Sequence, residues 1–235
     1  MARAAATPTR RDQILASAGR LFADRGFHGV SIDQIGASVG ITGPALYKHF
    51  NGKEALLGEL LVGCSRGLLA GARKRSAELD DPRAALRSLV EFHVDFALTQ
   101  PELIVVQERD WTHLRGDDRA TVRRLQRSYV DRWADVLTAV QPELTREVAR
   151  AAVQAAFGLM NSTPHSATRL PLEQMRPLLA RLALAALTGA VDSPERRRRE
   201  PPSGTAGRAA VNLRLPAVPA LDDLASRRWT CPPPC

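Results

Sequence analysis

Between Ser31 and Phe50 two short amphipathic segments are separated by only Gly40-Ile-Thr42, which leaves the chain just enough length to turn one helix onto the next. The first opens with Ser31-Ile-Asp-Gln34, a capping box in which Ser31 caps the start and Gln34 reaches back, before Ile35 and Val39 supply a buried face. In the second, Thr42 caps the start and Pro44 takes a first-turn position, where a missing N–H costs nothing. Leu46 and Phe50 then fall four residues apart and bury one side, leaving Tyr47, Lys48 and His49 outward. Three hydrogen-bonding tips on one turn suit a phosphate backbone better than a core.

The segments around this pair read as helices throughout. Residues 1–9 form a flexible basic arm, and Arg10 begins a helix in which Ile14, Leu15, Ala18, Leu21 and Phe22 recur at helical spacing until Gly26 ends it, with Phe27 folding back. From Lys53 a longer helix runs through Leu56, Leu57, Leu60 and Leu61 to about Arg75. Pro82 starts a further helix carrying Leu86, Leu89, Val90, His93 and Phe96, which Pro101 closes. Glu102 to Leu114 holds Leu103-Ile-Val-Val106, a run that periodicity alone would allow as a strand; helical neighbours on both sides would leave a strand unpaired, so helix is expected. Gly116-Asp-Asp118 breaks the chain before a helix from Val122 to Val140. Thr145 to Asn161 and Leu172 to Val191 complete the set, with Ser162 to Ser166 as a loop. A hydrophobic fraction of 44% with only 5% aromatic residues agrees with an all-α fold. The last helix is apolar on most faces, which places Ala152 to Leu159 and Leu178 to Leu187 at a homodimer seam of four helices. Residues 192–235, rich in Pro and Arg, read as a disordered tail.

The formal net charge of +8 permits nucleic-acid binding. Tyr47 and His49 can donate to phosphate oxygens, Lys53 adds a charge, and Ser31 brings the exposed N–H groups of a helix start. For reading base edges the chain offers less: Thr42 is short, Gly43 and Ala45 lack polar side chains, and Lys48 is the one long donor. Arg3, Arg10 or Arg11 could add contacts in a neighbouring minor groove. No nucleophile–base set, phosphate loop or histidine pair at zinc spacing appears, so neither enzyme, metal site nor cofactor is expected. Cys64, Cys231 and Cys235 read as ordinary thiols. No apolar run of signal-peptide length follows Met1, and a cytoplasmic protein is expected.

Residues 10–56, through Leu21-Phe-Ala-Asp-Arg-Gly26, Ser31-Ile-Asp-Gln-Ile35, Gly40-Ile-Thr-Gly-Pro-Ala-Leu-Tyr-Lys-His-Phe50 and Lys53-Glu-Ala-Leu56, closely resemble the DNA-binding domain of TetR/AcrR-type transcriptional regulators. The resemblance implies a three-helix DNA-binding domain at 10–56, a larger effector-binding and dimerisation domain at 57–191, phosphate contacts from Tyr47, His49 and Lys53, and a groove-facing role for Thr42, Gly43 and Ala45. Two residues depart from that pattern: Asp33 is acidic where many relatives face DNA with a polar or basic group, and Gly43 has no side chain to read with. Beyond residue 60 the likeness is architectural, and pocket candidates come from large or polar residues inside apolar helices: His93, Phe96, Arg109, Trp111, Tyr129, Trp133, Phe157, Met160 and Asn161. The expected function is a repressor released from operator DNA by a small hydrophobic effector such as a fatty acid or acyl thioester; a non-specific architectural DNA binder is the alternative.

Overall fold

The computed structural model describes residues 9–166 and 170–189. Ten helices follow one another: α1 (Arg10–Arg25), α2 (Ile32–Ser38), α3 (Gly43–Leu46), α4 (Lys53–Ala77), α5 (Pro82–Thr99), α6 (Pro101–Asp110), α7 (Gly116–Val140), α8 (Arg146–Met160), α9 (Thr163–Ser166) and α10 (Leu172–Gly189). A 3-10 turn over Trp111–His113 joins α6 to α7. The arm of residues 1–8, with Arg3, and the expected tail, with Cys231 and Cys235, lie outside the described residues.

Local chemistry accounts for most boundaries. Thr9 belongs to the fold rather than to the arm: its hydroxyl accepts from Asp12 N at 3.2 Å and its own N–H donates to the Asp12 carboxylate at 2.9 Å, a capping box for α1. The Thr9 hydroxyl also donates to that carboxylate at 2.7 Å, and this bond together with the one from Thr9 N holds the Asp12 carboxyl below its ordinary pKa. The predicted Ser31/Gln34 box is present, and Gly26 ends α1 with a φ of 76°, the left-handed region that favours glycine. α3 is shorter than the expected Thr42–Phe50 helix. After Leu46 the chain tightens into i→i+3 bonds, Lys48 N to Ala45 O and His49 N to Leu46 O, which swing Phe50 into the core ahead of Gly52 at φ 101°. Gly116-Asp-Asp118, read as a break, opens α7 instead, because acidic side chains are favourable in a first turn. The expected loop at 162–166 contains the single turn α9, tied down by Thr163 Oγ1 donating to Ala97 O at 2.8 Å.

Two apolar cores share α4. The first gathers Ile14, Phe22, Ile35, Leu46 and Phe50 from the helix-turn-helix with Leu56, Leu57 and Leu61 of α4 and Val106, Leu114 and Val122 from α6, the turn before α7, and α7. The second joins Leu89, Val94, Trp133, Leu137, Val153, Met160, Leu179 and Leu187 across α5, α7, α8 and α10. Of the helices described, α4 alone is long and apolar enough to cross a membrane by length and composition, and its burial between these cores accounts for that apolarity.

Candidate nucleic-acid interface and internal cavity

α2 and α3 are locked onto α1 before they present anything outward. Ser17 and Ser38 share a 2.5 Å hydrogen bond between α1 and α2, and Gly36 lets the turn approach so closely that an added Cβ would stand 2.8 Å from Ile41 O. Leu46 is fully buried and Phe50 nearly so, each stabilising the seat of α3 by about 1.5–3 kcal/mol. On the opposite side Tyr47 is 56% exposed, Thr42 and Lys48 are exposed, and Ala45 and His49 are half-buried. Ser31 is exposed at the start of α2.

Gly43 is buried, and the reason joins the two departures noted in the sequence. A Cβ there would fall 2.0 Å from Asp33 Oδ1, so the Asp33 carboxylate occupies the space of a side chain at 43. The acidic residue and the missing side chain are one feature.

Three basic residues expected near DNA have structural partners. Lys53 Nζ donates to Phe27 O at 2.8 Å and Val30 O at 2.7 Å and lies 4.6 Å from the Phe27 ring centroid, so two of its three N–H groups pin the turn between α1 and α2. Arg10 donates to Val39 O at 2.8 Å, satisfying a carbonyl at the end of α2. Arg11 pairs with Glu59 of α4, donates to His49 O and lies over the Phe50 ring, which makes it a clamp across α1, the turn after α3 and α4 rather than a free minor-groove arm. Their signal in sequence was charge, which says nothing about carbonyls brought close by tertiary packing.

The second region is a cavity of about 450 Å³ bounded by α4 to α8. Five of the nine pocket candidates line it: His93, Phe96, Tyr129, Phe157 and Asn161. His93 sits between Tyr129 and Asn161, with Nδ1 3.0 Å from Tyr129 Oη and Nε2 3.0 Å from Asn161 Oδ1. Asn161 Oδ1 can only accept, so Nε2 carries the proton and the Tyr129 hydroxyl donates to Nδ1. Burial pushes the His93 pKa down to about 4, the Asn161 bond opposing this, and burial also raises the Tyr129 hydroxyl's pKa. Phe157 stacks on both rings, at 4.6 Å from His93 and 5.2 Å from Tyr129.

The other four candidates lie elsewhere. Trp133 is fully buried behind the triad, edge-on to His93, and Met160 is fully buried in the second core. Trp111 packs on the first core beneath Arg123, and Arg109 turns away to α1. The cavity instead recruits polar residues that the sequence does not single out: Gln107 and Glu108 on α6, Arg123, Gln126 and Arg127 on α7, Arg150 and Gln154 on α8. Their signal was spacing, since Arg123, Gln126, Arg127 and Val130 lie on one face of α7, and Arg150, Gln154 and Phe157 on one face of α8. Arg150 is paired with Asp131, Arg123 lies 5.4 Å from the Trp111 ring, and both Arg123 and Arg127 are exposed.

One helix touches both regions. α6 gives Ile104, Gln107 and Glu108 to the cavity wall, while the next two residues grip the end of α1. Arg109 donates to the Phe22 carbonyl and, at 3.0 Å, to that of Ala23; Asp110, almost fully buried, pairs with Arg109 and accepts from Phe27 N at 3.3 Å. The bond to Ala23 O satisfies a carbonyl at the end of α1 that has no intrahelical donor, whereas Phe22 O also accepts from Gly26 N at 2.8 Å. Among the described residues no cluster of His, Cys, Asp or Glu could hold a metal ion. Burial raises the Cys64 thiol to about 12, away from thiolate chemistry.

Residues 14–60 match the model of bacterial regulatory proteins of the tetR family, and residues 79–165 match a tetracyclin repressor-like C-terminal domain. The transcriptional activator FasR of Mycolicibacterium smegmatis is 37% identical over 87 residues, which cover 37% of this chain and 40% of that protein. The transcriptional repressor KstR2 of Rhodococcus jostii is 30% identical over 131 residues, 55% of this chain and 64% of that one. The chain thus aligns with less than two thirds of either relative's length. Among solved structures, AibR in complex with isovaleryl coenzyme A and operator DNA superposes with a TM-score of 0.62 at 21% identity, over 74% of this chain and 97% of that one.

Proposed function

The chain belongs to the TetR family of bacterial regulatory proteins, a family of DNA-binding regulators rather than enzymes, and we propose that it is a ligand-responsive repressor acting as a homodimer on operator DNA in the cytoplasm. The observation that carries this reading is the α3 turn, seated by Leu46 and Phe50 with Tyr47 and Lys48 exposed on its outer side. Tyr47, His49 and the α2 start at Ser31 hold phosphates; Thr42, Ala45 and Lys48 face the groove. Lys53 has one N–H left for a phosphate, and its main work is to hold the turn. Gly43 contributes by letting Asp33 sit against α3, so base reading rests on Lys48, Thr42, Asp33 and DNA shape.

Dimerisation is supported by two apolar stripes that flank the buried faces. On α8, exposed Val148 and Ala155 run beside half-buried Ala152 and Leu159 at the edge of the second core; on α10, exposed Leu182 and Ala185 run beside half-buried Leu178, and Val148 and Leu182 are each 47% exposed. Paired with a second copy, they make a four-helix seam that sets two α3 turns about one helical repeat apart.

For the effector, apolar walls from Leu68, Phe96, Ile104, Val130 and Phe157 beside Arg123 and Arg127 suit an anionic amphiphile, a fatty acid or an acyl thioester. AibR, described with isovaleryl coenzyme A, offers a precedent for a thioester on this fold. Linkage gives the mechanism: the ligand favours an arrangement of α6 and α4 in which the two α3 turns no longer match successive grooves. One relative is an activator and another a repressor, so the sign of regulation is part of the proposal.

The rival reading, a non-specific DNA binder, draws on the +8 charge and the scarcity of base-reading side chains. Mobility shift of the fragment upstream of the protein's own gene, with random duplex as competitor, separates them. The regulator reading predicts that this fragment survives a hundredfold excess of random duplex; equal competition by both overturns it.

A further inference from the structure

The effector cavity has a neighbour that no family likeness assigns. A groove of about 640 Å³ runs between α1, α4, α5 and α6, and Leu68 and Phe96 line both spaces. Both shared side chains are half-buried, Leu68 at the edge of the second core. On the groove side, α4 presents Gly63 and Gly67, whose Cβ positions meet nothing within 4 Å. Leu60 and Leu103 add apolar wall, and the groove's two carboxylates are spoken for: Glu59 pairs with Arg11 and Asp95 with Arg176. It therefore offers length and apolar surface without a free charge.

We infer that the groove is the second compartment of the effector site, so that the ligand is an elongated amphiphile whose anionic head stays by Arg123 and Arg127 while its tail passes between Leu68 and Phe96 and lies along Gly63 and Gly67. An eight-carbon acid needs only the first compartment of about 450 Å³, whereas an extended sixteen-carbon tail has twice the reach and continues into the groove. The His93–Tyr129–Asn161 triad does not oppose the tail, because its ring nitrogens are satisfied within it and a hydrocarbon passing by strips no hydrogen bond from them.

This inference rests on the amphiphilic effector proposed above, and the test separates the two. Octanoate and hexadecanoate are titrated calorimetrically, below micellar concentration, into the full-length chain and its Gly67→Leu and Gly63→Leu variants. Leucine is the better helix former and neither glycine has a positive φ, so folding is not at risk. The expected result is at least tenfold weaker hexadecanoate binding in the variants, with octanoate within twofold of the native value. Hexadecanoate binding unchanged by either variant, or both acids weakened alike, overturns the second compartment and leaves the effector class standing. Binding of neither acid to the native chain overturns both.

Discussion

The Arg109 guanidinium on α6 donates to the Ala23 carbonyl at 3.0 Å, so the helix that walls the internal cavity also caps the helix that leads into the helix-turn-helix. Arg109→Met keeps much of the side chain's bulk and removes these donors, while Asp110 keeps its bond from Phe27 N. Expected is a chain that still binds operator but whose ligand-induced loss of affinity shrinks at least fivefold, the lower end of ordinary coupling energies. Fluorescence anisotropy with and without ligand reads this; an unchanged ratio removes α6 from the pathway.

Lys53 and Lys48 separate stability from binding. Lys53→Ala leaves two carbonyls of the Phe27–Val30 turn without their charged donor and costs about 1.5–3 kcal/mol in denaturant unfolding. Lys48→Ala, at an exposed position, leaves stability within about 0.5 kcal/mol and lowers the salt slope of DNA binding by about one. The reverse pattern would return Lys53 to the phosphate backbone.

Asp33 and Gly43 form a coupled pair. Gly43→Ala forces the carboxylate, whose Oδ1 lies 2.0 Å from the new Cβ, off the start of α3, and the exposed Asp33 side chain can rotate away. Folding stability changes little, and operator preference shifts. In a double-mutant cycle with Asp33→Ala, the two changes are non-additive in operator affinity by about 0.5–3 kcal/mol. Strict additivity would mean that the carboxylate and residue 43 act separately.

His93 makes stability depend on pH with a definite sign. Unfolded, the imidazole takes its proton near 6.5; in the folded chain burial holds it neutral down to about 4. Between these values the unfolded chain binds the extra proton, so stability that is full above pH 6.5 falls as pH drops toward about 4, by up to about 1.4 kcal/mol per unit. His93→Gln flattens that slope in urea titrations across the same range; a slope equal to the native chain's would show that other groups cause it.

The helix-turn-helix was legible because its signals are local. Ser31 with Gln34, Thr42 with Pro44, and Leu46 with Phe50 each act within one turn, and the structure has the caps and the buried pair where the spacing puts them. The cavity was half legible. His93, Phe96, Tyr129, Phe157 and Asn161 stood out as unusual inside apolar helices, but Trp133, Met160, Arg109 and Trp111 met the same criterion and face other ways, because helical phase against distant neighbours decides the matter. The uses of Arg10, Arg11 and Lys53 were hidden for a related reason: their partners, backbone carbonyls and for Arg11 also the Glu59 carboxylate, are brought near by tertiary contacts. α7 began earlier than expected since Asp117 and Asp118 are turn formers by type and helix starters by position.

The proposed function turns on specific docking of the exposed α3 turn on operator DNA. Its most direct measurement is a salt series of anisotropy titrations on the fragment upstream of the protein's own gene, comparing the native chain with Tyr47→Ala. Specific docking predicts tight native binding that outlasts random duplex at every salt concentration, and at least tenfold weaker binding by Tyr47→Ala with its unfolding midpoint unchanged. Equal affinity of the two proteins, with random duplex bound as well as the upstream fragment, would contradict it.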